Sequence, residues 1–312
     1  MARLVPSAVG LESAEASPFD AVVFAGGGCR CFWQAGFYGV VAPALGLKPK
    51  VVSAASAGAA FACASLLGRQ ESVLEDFKRQ VGLNQRNWYP GNWARGKTIF
   101  PHEQIYRNTI ESGISDSDFQ RLRAGPELRI ILARPPGWAA GRIGFALAAF
   151  AYTLDQSQTL SRMRWAERFG FFPEIVSLQQ CSTLDALVDL ILHSSCTPPL
   201  LPLYRREGRV VIDGGLIDNA PADFVGPARS TLVMLSRHHR PDELPTHPDR
   251  VYVAPSKTIP IEKWDYTSPE LVDETYDLGR RDGEAFVAAS QDPIQSLRVA
   301  RRGDSETIPT AG

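Results

Sequence analysis

The chain has 312 residues, of which 44% are hydrophobic and 21% charged, and its formal net charge is −1. This length and composition predict an ordinary globular protein with one large α/β domain. The near-neutral charge argues against nucleic-acid binding, which needs a basic surface and usually a basic isoelectric point.

The ends of the chain predict flanking segments around one folded domain. Residues 1–19 contain no apolar run of the length that a signal peptide needs, so we interpret them as an N-terminal extension. The polar residues 301–312 predict a flexible tail. We therefore expect a single domain over residues 20–300, with no transmembrane segment, in a cytoplasmic protein that is either free or peripheral to a membrane.

Strand and helix patterns alternate in the first part of the chain. Asp20–Ala25 predicts a short buried strand that runs into three glycines, and Cys31–Leu45 has the length and apolar spacing of a helix. Lys50–Ala55 predicts a second strand, which an alanine-rich helix over Ala57–Leu67 follows. An amphipathic helix is predicted over Glu71–Val81.

The same alternation continues after a long predicted loop over Asn84–Pro101. Further strands are predicted over Leu128–Ala133, Arg209–Ile212, Thr231–Leu235 and Arg250–Val253, and helices over Leu184–His193 and Pro269–Ala289. Alternating strands and helices are typical of a mostly parallel sheet that is covered on both faces. The predicted fold class is thus α/β, with three α/β/α layers around a mostly parallel central sheet.

Ser56 lies where a β-branched strand stops and a small-residue helix begins. This setting is that of a nucleophile elbow, which lifts a serine oxygen above the carboxyl edge of a sheet. The N–H of Ala57, at the start of the helix, can face an oxyanion. The alternative is a tight strand-to-helix connection in which the serine is merely buried and hydrogen-bonded.

Three glycines, Gly26, Gly27 and Gly28, follow the first predicted strand directly. Consecutive glycines leave N–H groups that can converge on an anion. A Walker A loop is excluded because no Gly-Lys-Ser/Thr ending follows, and a dinucleotide fingerprint needs a glycine where Cys31 stands. A plain strand-to-helix turn is the alternative, although such a turn needs fewer glycines.

Asp213 ends a predicted strand and precedes two glycines, which allow the backbone to turn sharply. This position brings a carboxylate to the same edge of the sheet as Ser56. The alternative is an aspartate that only caps amides of its own turn, a common role before glycine. Asp218 suits that capping role better, because Asn219 and Pro221 mark a turn around it.

The five cysteines lack the regular spacing of a disulfide framework, so we expect free thiols in a reducing compartment. Cys29 and Cys31 have no second nearby pair, which argues against a zinc site. No carboxylate cluster with the spacing of a calcium loop accompanies Ser56 or Asp213. We therefore expect activity without a metal or a cofactor.

Taken in order, these motifs resemble the patatin-like phospholipase family. The family shows a Gly-Gly-Gly-x-Arg/Lys loop, then Gly-x-Ser-x-Gly, then Asp-Gly-Gly/Ala, and the matching stretches here begin at Gly26, Ala54 and Asp213. The run of residues 193–204 is also similar to a proline-containing segment of the family, and the resemblance extends roughly over residues 20–223. Ala54 departs from the family's glycine, which a backbone with negative φ tolerates.

The resemblance implies a Ser–Asp dyad that hydrolyses carboxylic esters of phospholipids or related lipids. Ser56 would be the nucleophile, Asp213 would take its proton, and the glycine-loop N–H groups with that of Ala57 would hold the oxyanion. Arg30 either steadies this loop or binds a phosphate, or else is a surface arginine at the start of a helix. Transfer of the acyl group to another alcohol, or cleavage of a thioester, fits the same dyad.

Two other interpretations compete with the dyad. A Ser–His–Asp triad in the order Ser, Asp, His could use His238, His239 or His247, but these residues lie in a polar, proline-rich stretch that predicts a loop. His193 lies on an apolar helix and is more typical of a core residue. A non-catalytic lipid-binding protein could share the fold, since a fold does not establish activity.

The apolar segment of residues 138–154 predicts a helix with large side chains on more than one side. One interpretation is a helix in the core. The other is a lid or wall of an acyl-chain groove, in which Phe145 and Phe150 would contact the substrate. The most apolar part of this segment, Ile143–Leu154, is too short to span a bilayer.

Overall fold

A computed structural model of the chain describes residues 17–96, 98–137, 164–240 and 242–291. The described helices are α1 (Phe32–Ala44), α2 (Ala57–Leu67), α3 (Gln70–Gly82), α4 (His102–Gly113), α5 (Asp116–Ala124), α6 (Arg164–Arg168), α7 (Leu184–Ser194) and α8 (Pro269–Gln291). The described strands are β1 (Ala21–Phe24), β2 (Val51–Ala55), β3 (Glu127–Arg134), β4 (Phe172–Ser177), β5 (Arg205–Arg206), β6 (Arg209–Val210), β7 (Ile212–Asp213), β8 (Thr231–Met234) and β9 (Arg250–Val253).

Seven of these strands form one sheet: six lie in the order β4-β3-β2-β1-β8-β9, and β7 pairs with the carboxyl end of β3 on the side opposite β4. The pairs among β3, β2, β1, β8 and β9 are all parallel, whereas β4 and β7 run antiparallel to β3. The chain leaves β1 toward β2 and later returns on the other side as β8. Parallel sheets bind ligands at such a reversal of strand order, outside the carboxyl ends of the strands.

The two faces of the sheet bury different clusters. Along β1, Val22 and Phe24 belong to the main core, which helices α1 to α5, α7 and α8 cover. Ala21 and Val23 point to the opposite face, where they pack with Ala222. The expected fold class, a mostly parallel sheet between two covering layers, is therefore confirmed. In the described part of the chain, short 3-10 turns at residues 214–216 and 222–225 contribute to the second layer.

Outside residues 138–154, which the structure does not describe, the predicted strands and helices form within a few residues of their expected bounds, except that the strand predicted over Arg209–Ile212 is divided between β6 and β7. The segment that leads to Asp213 is not another parallel strand, because β7 pairs antiparallel with the carboxyl half of β3. Asp213 lies opposite Leu132, near the end of β3, so the carboxylate still reaches the expected edge of the sheet. Among the described helices, none is both long and apolar enough to cross a bilayer.

Candidate active site

Ser56 occupies a strained turn between β2 and α2. Its φ is 55° and its ψ is −138°, a combination that side chains other than glycine rarely adopt. Backbone strain of this kind costs about 1–3 kcal/mol and persists only where neighbouring contacts enforce it. The side chain is 1% exposed, so the hydroxyl lies inside the protein beneath the carboxyl ends of the strands.

Two contacts enforce the turn at Ser56. The Ser56 N–H donates to Ser194 Oγ at 2.9 Å, and that hydroxyl in turn donates to the Ile131 carbonyl of β3 at 2.7 Å. On the other side, Gly58 lies against the end of β1, where a Cβ would be 2.5 Å from the Phe24 carbonyl oxygen. Only glycine allows α2 to begin this close to β1. Ala54 lies in β2 with negative φ, so its methyl group is accommodated.

The carboxylate of Asp213 contacts Ser56 directly. Ser56 Oγ donates to Asp213 Oδ2 at 2.7 Å, and both side chains are buried. The N–H of Gly215 donates to the other oxygen, Oδ1, at 2.7 Å. Asp213 thus caps its own turn and also contacts the serine, so the two interpretations of this residue are compatible. Asp218 accepts a hydrogen bond from the Ala220 N–H at 3.0 Å, which is the local capping that its sequence context favours.

The glycine loop lies over Ser56, but its three N–H groups have different roles. The Gly26 N–H donates to the Asn219 carbonyl at 2.8 Å. This contact corrects the expectation that all three N–H groups are available to an anion. Gly26 is needed for its lack of a side chain instead, since a Cβ there would lie 3.0 Å from Ser56 Cβ and 2.7 Å from Asn219 Oδ1.

Three N–H groups remain for an oxyanion near Ser56. In the described contacts, the N–H groups of Gly27 and Gly28 donate to no protein acceptor, and Gly28 has a φ of 58°. Ala57 begins α2, and the first N–H groups of a helix lack partners within the helix. The positive end of the helix dipole also favours negative charge there.

Asn219 and Ser236 fasten the glycine loop, and the sequence analysis assigned neither of them a role in the site. Asn219 Nδ2 donates to the Gly26 carbonyl at 3.0 Å, in addition to the backbone contact between the two residues. Ser236 Oγ, after β8, donates to the same carbonyl at 2.5 Å. The position of Asn219 just after the Asp-Gly-Gly motif was the available signal. Ser236 carries no local signal, because only the β1–β8 pairing brings it near.

Positive charge lies close to the glycine loop. Burial raises the pKa of the Cys31 thiol to about 12, while the charges of Arg30 and Lys263 oppose that rise and Asp213 adds to it. Arg30 is partly buried, in the short 3-10 turn that ends the loop. Arg30 and Lys263 therefore lie close enough to Cys31, just after the glycine loop, to influence the ionisation of its thiol.

An apolar cleft opens beside Ser56. It encloses about 540 Å³ of atom-free space, its open mouth included. Gly28, Cys29 and Ala57 form the end next to Ser56, and Tyr266 lies in the wall. The remaining wall residues come from the four helices α1 to α4 and from the residue after α4: Phe32, Ala60, Phe61, Ala64, Val73, Phe77, Tyr106, Thr109, Ile110, Gly113 and Ile114. A cleft with this lining suits a hydrocarbon chain.

The histidines make their described contacts elsewhere. His238 Nδ1 contacts the Pro255 carbonyl at 2.8 Å, and His247 Nδ1 accepts from the Asp249 N–H at 3.2 Å. Burial lowers the pKa of His239, and its nearest acidic partner is Glu243. The pKa of His193 is also lowered by burial, and its ring packs against Tyr204.

Phe145 and Phe150, the proposed substrate-contacting residues of the 138–154 segment, lie outside the described residues. Their assignment stays a prediction. The described wall residues of the cleft belong to other parts of the chain, chiefly α1 to α4, and no sequence pattern had indicated the cleft.

Comparison with known proteins shows the family to which the chain belongs. The model of the patatin-like phospholipase family matches residues 22–225, well over half of the chain. Among solved structures, the crystal structure of VipD from Legionella pneumophila is similar at 12% sequence identity and a TM-score of 0.42, covering 88% of this chain and 68% of that one. No curated protein matches the chain in sequence.

Proposed function

Because the chain belongs to the patatin-like phospholipase family, we propose that it hydrolyses carboxylic ester bonds of phospholipids or related lipids through Ser56 and Asp213. The observation that carries this proposal is the 2.7 Å hydrogen bond from Ser56 Oγ to Asp213 Oδ2, formed on a strained strand-to-helix turn. The apolar cleft beside Ser56 supports an acyl chain as the group to be bound.

The proposed reaction begins with attack of Ser56 Oγ on the acyl carbonyl, while Asp213 accepts the hydroxyl proton. The N–H groups of Gly27, Gly28 and Ala57 stabilise the oxyanion, and Asp213 then returns the proton to the departing alcohol. Water then attacks the acyl carbonyl while Asp213 accepts its proton, and Asp213 gives that proton to Ser56 Oγ as the fatty acid leaves. Since a carboxylate is a weak base, this dyad depends strongly on the oxyanion donors, each of which contributes about 2.7–4 kcal/mol in serine enzymes.

The test compares three variants with the unaltered chain. Ser56→Ala and Asp213→Asn should each lower kcat on a soluble ester at least 10²-fold, because one removes the nucleophile and the other the proton acceptor. Asp218→Asn is the matched control and should have a mild effect. A fluorophosphonate probe should label the unaltered chain but not Ser56→Ala. A folded Ser56→Ala variant with more than trace activity would refute the proposal.

The same variants and the same probe distinguish two other candidate functions of this site. Acyl transfer would appear as a preference for an alcohol acceptor over water. Thioester cleavage would appear as a preference for an acyl thioester over a lipid ester. A non-catalytic lipid-binding protein would bind the lipid without fluorophosphonate labelling, since only an activated serine reacts.

A histidine-dependent triad is tested separately. We expect that changing His238, His239 and His247 together to Gln leaves turnover within about two-fold, because their described contacts lie away from Ser56. The measurement is kcat on the same soluble ester, with circular dichroism as the folding check. Loss of activity comparable to Ser56→Ala would replace the dyad by a triad.

A further inference from the structure

The segment that joins α3 to α4, residues 83–101, combines aromatic and basic residues. It includes Trp88 and Trp93, carries three positive charges, and contains no Asp or Glu. The positive charges are those of Arg86, Arg95 and Lys97. We call this segment the tryptophan loop. Its charge contrasts with that of the whole chain, which is −1.

Both indole side chains of the tryptophan loop face solvent. Trp93 is 78% exposed and Trp88 57%, and Leu83 at the start of the loop is 81% exposed. Tryptophan is highly buried on average in folded proteins, because its side chain offers a large apolar area to bury. A cluster of exposed apolar side chains beside positive charge is typical of a binding surface.

The exposure does not come from a lack of structure in the loop. The Tyr89 hydroxyl accepts hydrogen bonds from the N–H groups of Gln85 and Arg86, each at 3.2 Å, and donates to Asn84 Oδ1 at 2.8 Å. Further along, Asn92 Nδ2 donates to the Thr98 carbonyl at 3.0 Å. These contacts tie together described residues of the loop, while both indoles stay exposed.

The tryptophan loop joins two helices that line the apolar cleft. It connects α3 and α4, which contribute Phe77 and Tyr106 to the cleft wall. It is also fastened to Tyr266, another wall residue, through Asn84 Nδ2 to the Tyr266 carbonyl and the Tyr266 N–H to Asn87 Oδ1, each at 2.8 Å.

The segment before Tyr266 reaches the glycine loop. The Cys29 N–H donates to the Lys263 carbonyl at 3.0 Å. The carboxylate of Asp265, which adjoins the tryptophan loop, is held by the Thr267 hydroxyl at 2.6 Å. The segment from Lys263 to Tyr266 therefore contacts both the tryptophan loop and Cys29, which lies at the end of the cleft next to Ser56.

We propose that the tryptophan loop docks the protein on a bilayer surface that contains anionic lipids. Indole rings favour the membrane–water interface, where the ring meets apolar chains and the N–H stays hydrated. Basic residues beside them are attracted to anionic headgroups. A second copy of this chain is disfavoured as the occupant, because a symmetric contact would bring the loop's own positive charges together. This docking goes beyond the proposed function, since it requires no chemistry at Ser56.

The experiment uses the full chain carrying Ser56→Ala, so that vesicles stay intact. Sedimentation with phosphatidylcholine vesicles, alone or mixed with phosphatidylglycerol, should show stronger binding to the mixed vesicles, which added salt weakens. Adding Trp88→Ala and Trp93→Ala should weaken binding about ten-fold or more, because the apolar area that the lipid covers is lost. Arg86→Glu should weaken binding to the mixed vesicles about five-fold or more.

A matched control is available on another surface. Phe169 and Phe172 are 59% and 46% exposed, and replacing both by Ala should leave vesicle binding unchanged. Full binding by the folded double-tryptophan variant, or no binding by its parent to either vesicle, would overturn the proposal. So would light scattering that shows a dimer which the tryptophan changes dissociate, since the loop would then contact a second copy.

The outcome for docking is separable from the outcome for catalysis. If the unaltered chain binds vesicles but hydrolyses no soluble or lipid ester, the proposed function fails and the docking surface stands. If it hydrolyses soluble esters but never sediments with vesicles, the docking proposal fails and the chemistry at Ser56 stands.

Discussion

The geometry at Ser56 is set by residues that take no part in the proposed chemistry. Ser194 Oγ accepts the Ser56 N–H and ties the turn to β3, while Gly58 lets α2 start against β1. Each removes freedom from a backbone conformation that would otherwise relax. The serine hydroxyl is therefore aimed at Asp213 by the fold, before any substrate is bound.

Asn219 offers a residue-scale prediction about the glycine loop. Asn219→Asp keeps the shape but replaces the Nδ2 donor, which holds the Gly26 carbonyl, by an oxygen that repels it. It also adds a carboxylate close to Asp213, since the side-chain oxygens of both residues lie about 3 Å from where Gly215 would carry a Cβ. We expect kcat on a soluble ester to fall about ten-fold or more.

A pH profile distinguishes this role from a loss of stability. A second carboxylate raises the pKa of its neighbour, and the proposed reaction needs Asp213 ionised. The acidic limb of the kcat profile should therefore move to higher pH in Asn219→Asp. Asn108→Asp, on the exposed face of α4, is the control and should leave the profile in place. An unshifted profile in the Asn219 variant would contradict the proposed arrangement.

At the scale of elements, α2 serves both the oxyanion site and the cleft. Ala57 begins the helix beside Ser56, and Ala60 and Ala64 lie on the same side of it in the cleft wall. Small side chains at this spacing leave the room that a hydrocarbon chain needs. The alanine-rich sequence of α2 is thus explained by the cleft as well as by the tight turn.

This arrangement predicts a chain-length effect. Ala60→Phe should fill part of the cleft and lower kcat/KM on long-chain esters about ten-fold or more relative to short-chain esters, as expected when a pocket loses space for several methylenes. The measurement is a series of p-nitrophenyl esters of increasing length. Ala124→Phe, at the exposed end of α5, is the control and should preserve the preference. An unchanged preference in Ala60→Phe would mean that acyl chains bind elsewhere.

The elements that sequence patterns revealed share a strong local signal. The strands before Gly26 and Ser56 are short apolar runs, and α2 ends at Gly68 in a left-handed conformation that glycine favours. Helix α5 is not among the predicted elements, although Ser115 forms a capping box with Asp118 at its start. Strand β4 is not among them either, because this antiparallel strand exposes Phe172 and Ile175 and therefore lacks a buried pattern.

The candidate site also contains some features that have a local sequence signal and others that do not. The position of Ser56 and the approach of Asp213 follow from motif order and from the shared edge of the sheet. Two hydrogen bonds could not be predicted in this way: the Gly26 N–H donates to the Asn219 carbonyl, and Ser236 Oγ donates to the Gly26 carbonyl. Both join residues that lie about 200 positions apart in the chain. Such long-range hydrogen bonds leave no local sequence signal. The run of three glycines therefore could not show which N–H groups remain available to an oxyanion.

For the whole molecule, topology brings three distant segments to one edge. The glycine loop follows β1, Ser56 follows β2, and Asp213 arrives on β7 against the end of β3. Because β1, β2 and β3 are adjacent and parallel, their carboxyl ends meet at this edge. Because β8 pairs with β1 on the side away from β2, Ser236 after β8 also reaches this edge, where it donates to the Gly26 carbonyl.

The whole fold also buries every cysteine, which allows a final prediction. All five are free thiols and all are buried. Burial raises the pKa of Cys31, Cys63 and Cys196 to about 12, so these thiols stay protonated at pH 8. We expect the native chain to react negligibly with the thiol reagent DTNB at pH 8, and the chain in guanidinium chloride to release the colour of five thiols.

Iodoacetamide should accordingly leave ester hydrolysis intact while a fluorophosphonate abolishes it, because the proposed nucleophile is Ser56 and not a thiol. Rapid modification of a thiol in the native chain, with parallel loss of activity, would show that a cysteine is accessible at the site and would contradict this assignment.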